Sequence, residues 1–361
     1  MGFAERCRRE HGPGIDRLEF EEEVRMKNKA EPTVGRRHPR LRNKLGRHVA
    51  GALAVMVACT TAVGSTTAFA EPVTSGLLPV PFDTGAAILP FFFPEDVPAG
   101  ANDPNCRLTP EHPRPVILVN GTFVNQAANW QAGAPFLRNN GYCVFTFNYG
   151  NPTWISEIPV QSVADVRDSA RQLAAEVDKV RAQTGTEKVD LVGASLGGGL
   201  VAHRYINFLG GDRYVDKLIG LSPSNHGTTL SGIVFLRKSF PPLGPFVVNG
   251  LEMLLPASIQ QTVGHELVKQ TYANGDTRPG VTYTTIVTKY DEVVTPFTNQ
   301  FLDGPNVTNI LMQDGCEENQ TDHLGIHYSE RAWGFVRNAL DPEHPAPVLC
   351  VAEGFMFPGL T

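Results

Sequence analysis

The sequence has little charge and no apolar run as long as a membrane span. Asp, Glu, Lys and Arg make up 19% of its 361 residues, against about 25% in an ordinary globular domain. The hydrophobic share of 42% is still large enough to build a core, which excludes a globally disordered chain. The formal net charge of -6 argues against nucleic acid as the main partner.

The sequence also lacks the patterns of a metal site and of a repeat. It contains no C-x-x-C pair and no His-rich spacing, so no zinc site is expected. Its 35 Gly and 28 Pro make it rich in turns, but they follow no G-x-y period. The length suits one large domain or two small ones.

The charge is unevenly distributed along the chain. Residues 1–70 hold 13 Lys and Arg and 8 Asp and Glu, so that 18 and 29 of the totals of 31 and 37 remain for residues 71–361, a net charge of -11. Basic residues over 27–47 precede a short apolar run over 49–59 and an Ala-Phe-Ala site ending at Ala70. This order predicts an export signal peptide over 1–70, cleaved near Ala70, and a secreted protein.

Alternatives to this leader remain open. A membrane anchor needs about 20 apolar residues, more than residues 49–59 supply. The Arg36-Arg37 pair resembles a twin-arginine signal, although the following His-Pro-Arg does not fit one. Residues 21–23 are all Glu where a leader should be basic, so Met26 is the alternative start.

Export changes what the cysteines predict. Two of the six lie in the leader, and the four that remain are Cys106, Cys143, Cys316 and Cys350. An even number of cysteines in an exported protein predicts disulfides, with three possible connectivities.

The remaining chain alternates short apolar runs with amphipathic segments. Buried strands are predicted at 115–121, 142–149, 188–192, 217–222, 281–288 and 307–312. Apolar residues at spacings of three and four predict a helix over 161–184, closed by Gly185. Further helices are predicted up to Leu209 and over 328–340. This alternation predicts an α/β fold, a mostly parallel sheet with helices on both faces.

Two apolar segments depart from this alternation. Residues 77–98 are rich in Pro and Phe, and the prolines predict an extended surface arm without a helix; a lipid-facing patch is the alternative. Residues 223–270 show no strand pattern and predict a small apolar cap, with ordinary core packing as the alternative. We therefore expect one domain over 71–361 with a cap insertion.

A candidate nucleophile follows the third predicted strand directly. Residues 193–197, Gly-Ala-Ser-Leu-Gly, match G-x-S-x-G. The small residues suit the sharp strand-to-helix turn that lifts the hydroxyl of Ser195 clear of the backbone. The alternative is a Gly-rich turn with a capping serine.

A serine hydroxyl needs a base, usually a His oriented by a carboxylate. The histidines after Ser195 are His203, His226, His265, His323, His327 and His344. His323 follows the last predicted strand and is the candidate base, with His327 as its rival. Asp291 follows the fifth strand, at the edge where catalytic groups of parallel sheets collect. Asp322 would have difficulty reaching the neighbouring ring, and the weaker candidates are Glu292, Asp303 and Asp314.

The developing oxyanion needs N–H donors. We expect one from Leu196, which follows the nucleophile, and one from Thr122 in the loop after the first strand, where the Thr122 hydroxyl can also contribute. Two alternatives for residues 120–122, Asn-Gly-Thr, are a simple turn and a glycosylation sequon.

These motifs resemble those of the secreted α/β-hydrolase lipases. The stretches 119–122, 189–198 and 284–294 resemble the bacterial class-2 lipases, and 221–228 and 256–264 resemble yeast lipase B. The resemblance covers roughly residues 106–350 and implies an α/β-hydrolase fold. It implies a triad of Ser195, Asp291 and His323, an oxyanion hole of Thr122 and Leu196, and the disulfides Cys106–Cys143 and Cys316–Cys350.

Two positions depart from the family pattern. Leu196 stands where Gln or Met is common, and Ala194 stands where His or Trp is common, which puts the substrate preference in doubt. We expect a serine hydrolase that cleaves carboxylic esters through an acyl-enzyme. The first candidate is a triacylglycerol lipase that acts on lipid or other hydrophobic esters. It needs no metal or organic cofactor, no nucleic acid and no stable membrane span, and is expected to be a monomer. The alternatives are a carboxylesterase or polyester hydrolase with the same triad, and a non-catalytic exported binding protein.

Overall fold

The core of the molecule is a parallel sheet. The computed structural model describes residues 76–151, 159–230 and 253–355. Six strands form one sheet in the order β2-β1-β3-β4-β5-β6, with every neighbouring pair parallel. The strands are β1 (Val116–Val119), β2 (Val144–Thr146), β3 (Val189–Ala194), β4 (Val215–Leu221), β5 (Thr282–Val287) and β6 (Val307–Leu311).

Helices and shorter helical turns connect and cover the strands. The helices are α1 (Ile88–Phe91), α2 (Gln126–Asn129), α3 (Gly133–Asn139), α4 (Val166–Thr184), α5 (Ala202–Phe208), α6 (Pro256–Gln260), α7 (Glu266–Tyr272) and α8 (Glu330–Leu340). A π-helical turn, Gly197–Val201, leads from β3 into α5, and 3-10 turns include Thr84–Ala87, Phe297–Gln300 and Gly325–Tyr328.

Each face of the sheet has its own apolar core. Successive strand residues point to opposite faces, so Ile117 and Leu191 pack with α4 and α5 on one face, while Leu118 and Val192 pack with α3 and α8 on the other. Because helices cover both faces, β1 and β3 are buried at every residue. The predicted α/β fold with a mostly parallel sheet is therefore confirmed.

The long helix α4 starts later than its apolar pattern predicts. Its first residue is Val166, five residues after the predicted start, because the Asp165 side chain caps it by accepting the N–H of Arg167 at 2.7 Å. It ends where predicted, at Thr184, followed by Gly185 in the left-handed region at φ 70°.

The prediction for the Pro- and Phe-rich arm is wrong in part. Residues 84–91 form a 3-10 turn and α1 rather than extended chain. Pro90 is tolerated because it is the third residue of α1, and an N–H in the first turn of a helix has no partner within that helix. The rest of the arm is irregular.

Several predictions fall partly outside the described residues. The leader, residues 1–70, lies there entirely, as do residues 231–252 of the predicted cap; the described part of that segment contains α6 and begins α7. Within the described ranges, no helix is both long and apolar enough to cross a bilayer. Cys106 is bonded to Cys143 and Cys316 to Cys350, the pairings that the resemblance implies.

Candidate active site

Ser195 stands on a sharp, strained turn at the carboxyl end of β3. Its φ is 47°, in the left-handed region that a non-glycine residue seldom occupies. The turn admits no larger neighbours: a Cβ on Gly193 would lie 2.3 Å from the Gly198 Cα, and one on Gly197 would lie 2.3 Å from the Val119 carbonyl oxygen. The predicted strand-to-helix elbow is thus present, with Ser195 only 4% exposed.

Three backbone hydrogen bonds hold the Ser195 turn in place. The N–H of Ser195 donates to the carbonyl of Leu221, the last residue of β4, at 2.9 Å. Its carbonyl accepts the N–H groups of Gly199 at 2.9 Å and of Ser224 at 3.1 Å. The strained conformation persists because these surrounding segments fix it.

Asp291 and His323 form a buried pair at the same edge of the sheet. His323 Nδ1 lies 2.7 Å from Asp291 Oδ2, and their side chains are 4% and 0% exposed. Asp291 Oδ1 accepts the N–H groups of Val293 at 2.9 Å and Val294 at 2.6 Å, while Oδ2 also accepts the Gln300 side-chain amide at 2.9 Å. The contact with Asp291 suits the His323 tautomer that carries its proton on Nδ1, which leaves Nε2 as an acceptor.

The surroundings of His323 act on its pKa in both directions. Burial by itself lowers the pKa, because it penalises the charged imidazolium. The charge and hydrogen bond of Asp291, assisted by Glu292 and Asp322, raise it, and the net direction is above the ordinary value of 6.5. This pattern suits a base that must hold a proton temporarily.

The rival histidine, His327, has a different role in the fold. Its ring centroid lies 6.1 Å from that of His323, and its ring hydrogen-bonds to the backbone of Leu221. Burial lowers the pKa of His327 to about 3, so it stays neutral near pH 7. The remaining candidates have other surroundings: His203 stacks on Tyr283, His226 pairs with Asp276, His265 caps α7, and His344 is exposed beside Asp341.

The other candidate acids have hydrogen bonds or surroundings of their own. Asp322 accepts the N–H of Gly325 at 2.8 Å, and Glu292 accepts the backbone N–H of His323 at 3.3 Å. Asp303 and Asp314 are exposed. The structure thus brings His323 together with Asp291.

The loop after β1 runs directly against the nucleophile. A Cβ on Gly121 would lie 3.2 Å from the Ser195 Cβ. Within the described part of the chain, the N–H groups of Thr122 and Leu196 donate to no acceptor. For Leu196, which is fully buried, this is unusual, because more than 90% of buried backbone donors in proteins are paired. The Thr122 hydroxyl accepts the Gln261 side-chain amide at 3.0 Å, which leaves its own proton available to donate.

The sequon at residues 120–122 has a structural explanation. Asn120 is fully buried, and its amide donates to the Val124 carbonyl at 2.6 Å and to the Ser162 hydroxyl at 2.8 Å. A buried amide with two partners is not an acceptor for a glycan in the folded protein. Asn120 therefore shapes the loop that carries Thr122.

Two glutamines near this site were not predicted from the sequence. Gln261 lies within the stretch that resembles yeast lipase B, so that resemblance could have pointed to it. Gln300 follows Asp291 by nine positions on an irregular 3-10 turn, and no local pattern distinguishes it.

Among the described residues, one group is spaced like metal ligands, Cys316, Glu318 and Cys350, but its two cysteines are bonded to each other.

Comparison with known proteins identifies the class of this fold. Residues 114–251 match the family model of the α/β hydrolase fold. Lipase B of Aspergillus fumigatus superposes with a TM-score of 0.51 at 22% identity, over 70% of this chain and 56% of that one. Lipase BlEst2 of Bacillus licheniformis, in its propeptide form, superposes with a TM-score of 0.50 at 18% identity, over 69% and 54%.

This chain therefore spans just over half the length of each of these two lipases. No curated protein sequence matches it significantly. At these identities the likeness establishes the fold: the chain has the α/β-hydrolase fold, and its resemblance to the lipases of that fold is confirmed.

Gln300→Leu tests the support of the buried carboxylate. We expect it to lower the free energy of unfolding by about 1–3 kcal/mol, because Asp291 loses a buried donor. Urea denaturation measures this. The matched control Gln270→Leu removes an exposed amide that donates to Glu266 at 3.2 Å and should change stability by no more than about 0.5 kcal/mol. Equal effects of the two changes would contradict the role of Gln300.

Proposed function

We propose that this protein is a serine hydrolase that cleaves carboxylic esters. The observation that carries the proposal is the buried 2.7 Å contact between His323 and Asp291, at the sheet edge that also holds the strained Ser195. A fold alone does not define a reaction, but these three side chains have the chemistry of nucleophile, base and orienting acid.

We propose the following reaction for these side chains. His323 Nε2 takes the hydroxyl proton as Ser195 attacks the ester carbonyl, and Asp291 holds the ring and stabilises the imidazolium. The N–H groups of Thr122 and Leu196 hold the tetrahedral oxyanion. The imidazolium then protonates the departing alcohol, which leaves an acyl group on Ser195. Water, deprotonated by His323, attacks this acyl-enzyme, releases the carboxylic acid and restores Ser195.

We further propose a lipid ester, such as a triacylglycerol, as substrate. The support is the arm at residues 88–93, where Ile88 and Leu89 are 63% and 69% exposed and Phe92 and Phe93 are 64% and 52% exposed. Exposed apolar side chains that cluster in this way mark contact with another apolar phase. A carboxylesterase or polyester hydrolase with the same triad is the second candidate.

Polar side chains that follow β1 and β2 hold the arm. Asn125, which follows the Thr122 loop, donates to the carbonyl of Phe91 at 2.8 Å. Asn148, which follows β2, donates to the carbonyl of Pro94 at 2.6 Å. Phe123, next to Thr122, is itself 45% exposed.

Export is proposed as well. Its support is the two disulfides, which persist in oxidising compartments, together with the leader pattern of residues 1–70.

Ser195→Ala should reduce hydrolysis of soluble p-nitrophenyl butyrate by about 10⁴-fold or more, because the nucleophile is lost. Labelling by a fluorophosphonate should disappear with it. The matched control is Ser169→Ala, another buried serine, which lies on α4 and whose hydroxyl finds no partner among the described residues; it should keep wild-type activity. Wild-type hydrolysis by the Ser195 variant would exclude this nucleophile, and an inactive wild-type protein would favour the binding-protein alternative.

The pH dependence of kcat/KM tests the base. His323 must be neutral to accept the serine proton, and its pKa is raised, so activity should rise with pH and reach half of its maximum above pH 6.5. Glu292→Gln should move this midpoint to lower pH, because the Glu292 charge is one cause of the raised pKa. An unchanged midpoint in that variant, or a wild-type midpoint below pH 6.5, would contradict the assignment.

The double variant Phe92→Ser/Phe93→Ser tests the lipid substrate. It should lower hydrolysis of emulsified triolein about tenfold or more, because a buried Phe contributes on the order of 1.5–3 kcal/mol. Hydrolysis of soluble p-nitrophenyl butyrate should stay within about twofold, since the arm supplies none of the triad or oxyanion groups. The matched control is Phe208→Ser/Leu209→Ser, with exposures of 45% and 41% at the far end of α5. Equal losses in both double variants would refute a role for the arm.

A further inference from the structure

The last described residues of the chain run back along the loop that carries His323. We name residues 313–323 the histidine loop and residues 349–355 the tail. The disulfide Cys316–Cys350 joins the two. Beyond it, the N–H of Gln320 donates to the carbonyl of Glu353 at 2.8 Å, and the Asn319 amide donates to the carbonyl of Val351 at 2.9 Å.

The carboxylate of Glu353 accepts hydrogen bonds from both the histidine loop and α8. Its Oε2 accepts the Asn319 amide at 2.9 Å and the hydroxyl of Thr321. Its Oε1 accepts the N–H of Glu330, in the first turn of α8, at 3.2 Å. Hydrogen bonds to a charged acceptor are among the stronger ones, so this one side chain connects the histidine loop, the tail and α8.

Thr321 connects Glu353 to the segment that contains Asp291. Its carbonyl accepts the hydroxyl of Thr288 at 2.6 Å, and Thr288 lies three residues before Asp291. On the other side, Thr321 lies two residues before His323. Glu353 therefore holds Thr321 in place, and Thr321 connects the histidine loop to the loop that carries Asp291.

Capping of α8 does not explain the position of Glu353. That helix already has its cap, since the Ser329 hydroxyl accepts the N–H of Ala332 at 3.2 Å. The tail also reaches the acid loop with Phe355, whose ring lies edge-on 5.3 Å from that of Tyr290, the neighbour of Asp291. The tail thus contacts both loops of the His–Asp pair.

We propose that Glu353 is a positioning residue for the His323–Asp291 pair, and that the Cys316–Cys350 disulfide delivers it to the histidine loop. Glu353 contacts no reacting atom; it acts through Asn319 and Thr321. The inference rests on the proposed function, because positioning has a meaning only if the pair performs catalysis.

Glu353→Ala tests this with soluble p-nitrophenyl butyrate at 25 °C. Since a small displacement of catalytic groups costs up to about 100-fold in rate, kcat should fall about 10- to 100-fold while KM stays within about twofold. The acid midpoint of the kcat/KM profile should move to lower pH, because a looser contact with Asp291 raises the pKa of His323 less. Loss of packing alone would not move that midpoint. The matched control is Glu317→Ala, an exposed glutamate on the same loop, which should behave as wild type.

Two further variants keep the outcome decisive. Glu353→Gln retains an acceptor oxygen, so kcat and the acid midpoint should change in the same directions but by less. This variant replaces Glu353→Ala if the alanine variant does not fold. The double variant Cys316→Ser/Cys350→Ser should also lower kcat. Adding Glu353→Ala to this double variant should reduce kcat by a smaller factor than it does in the wild-type protein. Wild-type kcat and midpoint in folded Glu353→Ala and Glu353→Gln, with only the melting temperature reduced, would overturn the proposal. Full activity of Ser195→Ala would instead overturn the proposed function.

Discussion

A carboxylate can be buried only where donors surround it, and the arrangement of this site depends on that requirement at Asp291. Its side chain is completely inaccessible, and four donors meet its two oxygens: the N–H groups of Val293 and Val294, the Gln300 amide and the His323 ring. An isolated buried charge would cost many kcal/mol. The loop from β5 to the 3-10 turn at 297–300 is therefore folded around the carboxylate, and the ring of His323 completes its shell.

The sheet makes this arrangement possible because all of its strands run in the same direction. Every strand then delivers its following loop to the same edge, so the Thr122 loop, Ser195, Asp291 and His323, which follow β1, β3, β5 and β6, share that edge. The buried strands and the two apolar cores supply the rigidity. At this edge several local rules are broken: Phe123, Ser195 and Ser222 have left-handed backbones, and among the described residues the N–H groups of Thr122 and Leu196 find no acceptor. Such departures concentrate where chemistry is performed.

The sequence predicts those parts of the molecule that depend on local pattern. The strands, α4 and Ser195 follow from apolar runs, helical spacing and the small residues of an elbow. The position of His323 after the last strand, and the resemblance, already favoured it over His327, and the structure adds its 2.7 Å contact with Asp291. Gln300 and Glu353 could not have been predicted, since each acts on a partner brought close by tertiary folding. The arm at 84–91 was mispredicted because the cost of Pro90 depends on its position within a helix.

The disulfide Cys316–Cys350 closes a covalent ring with a sequence separation of 34, and this ring contains His323 and the whole of α8. Residues 342–345, inside the ring, are exposed, and exposed loops are where proteases cut. A single cut there would open the backbone but would leave both pieces joined through sulfur, with α8 still on its apolar face and the tail still beside the histidine loop. The ring thus makes the part of the chain that carries His323 tolerant of nicking.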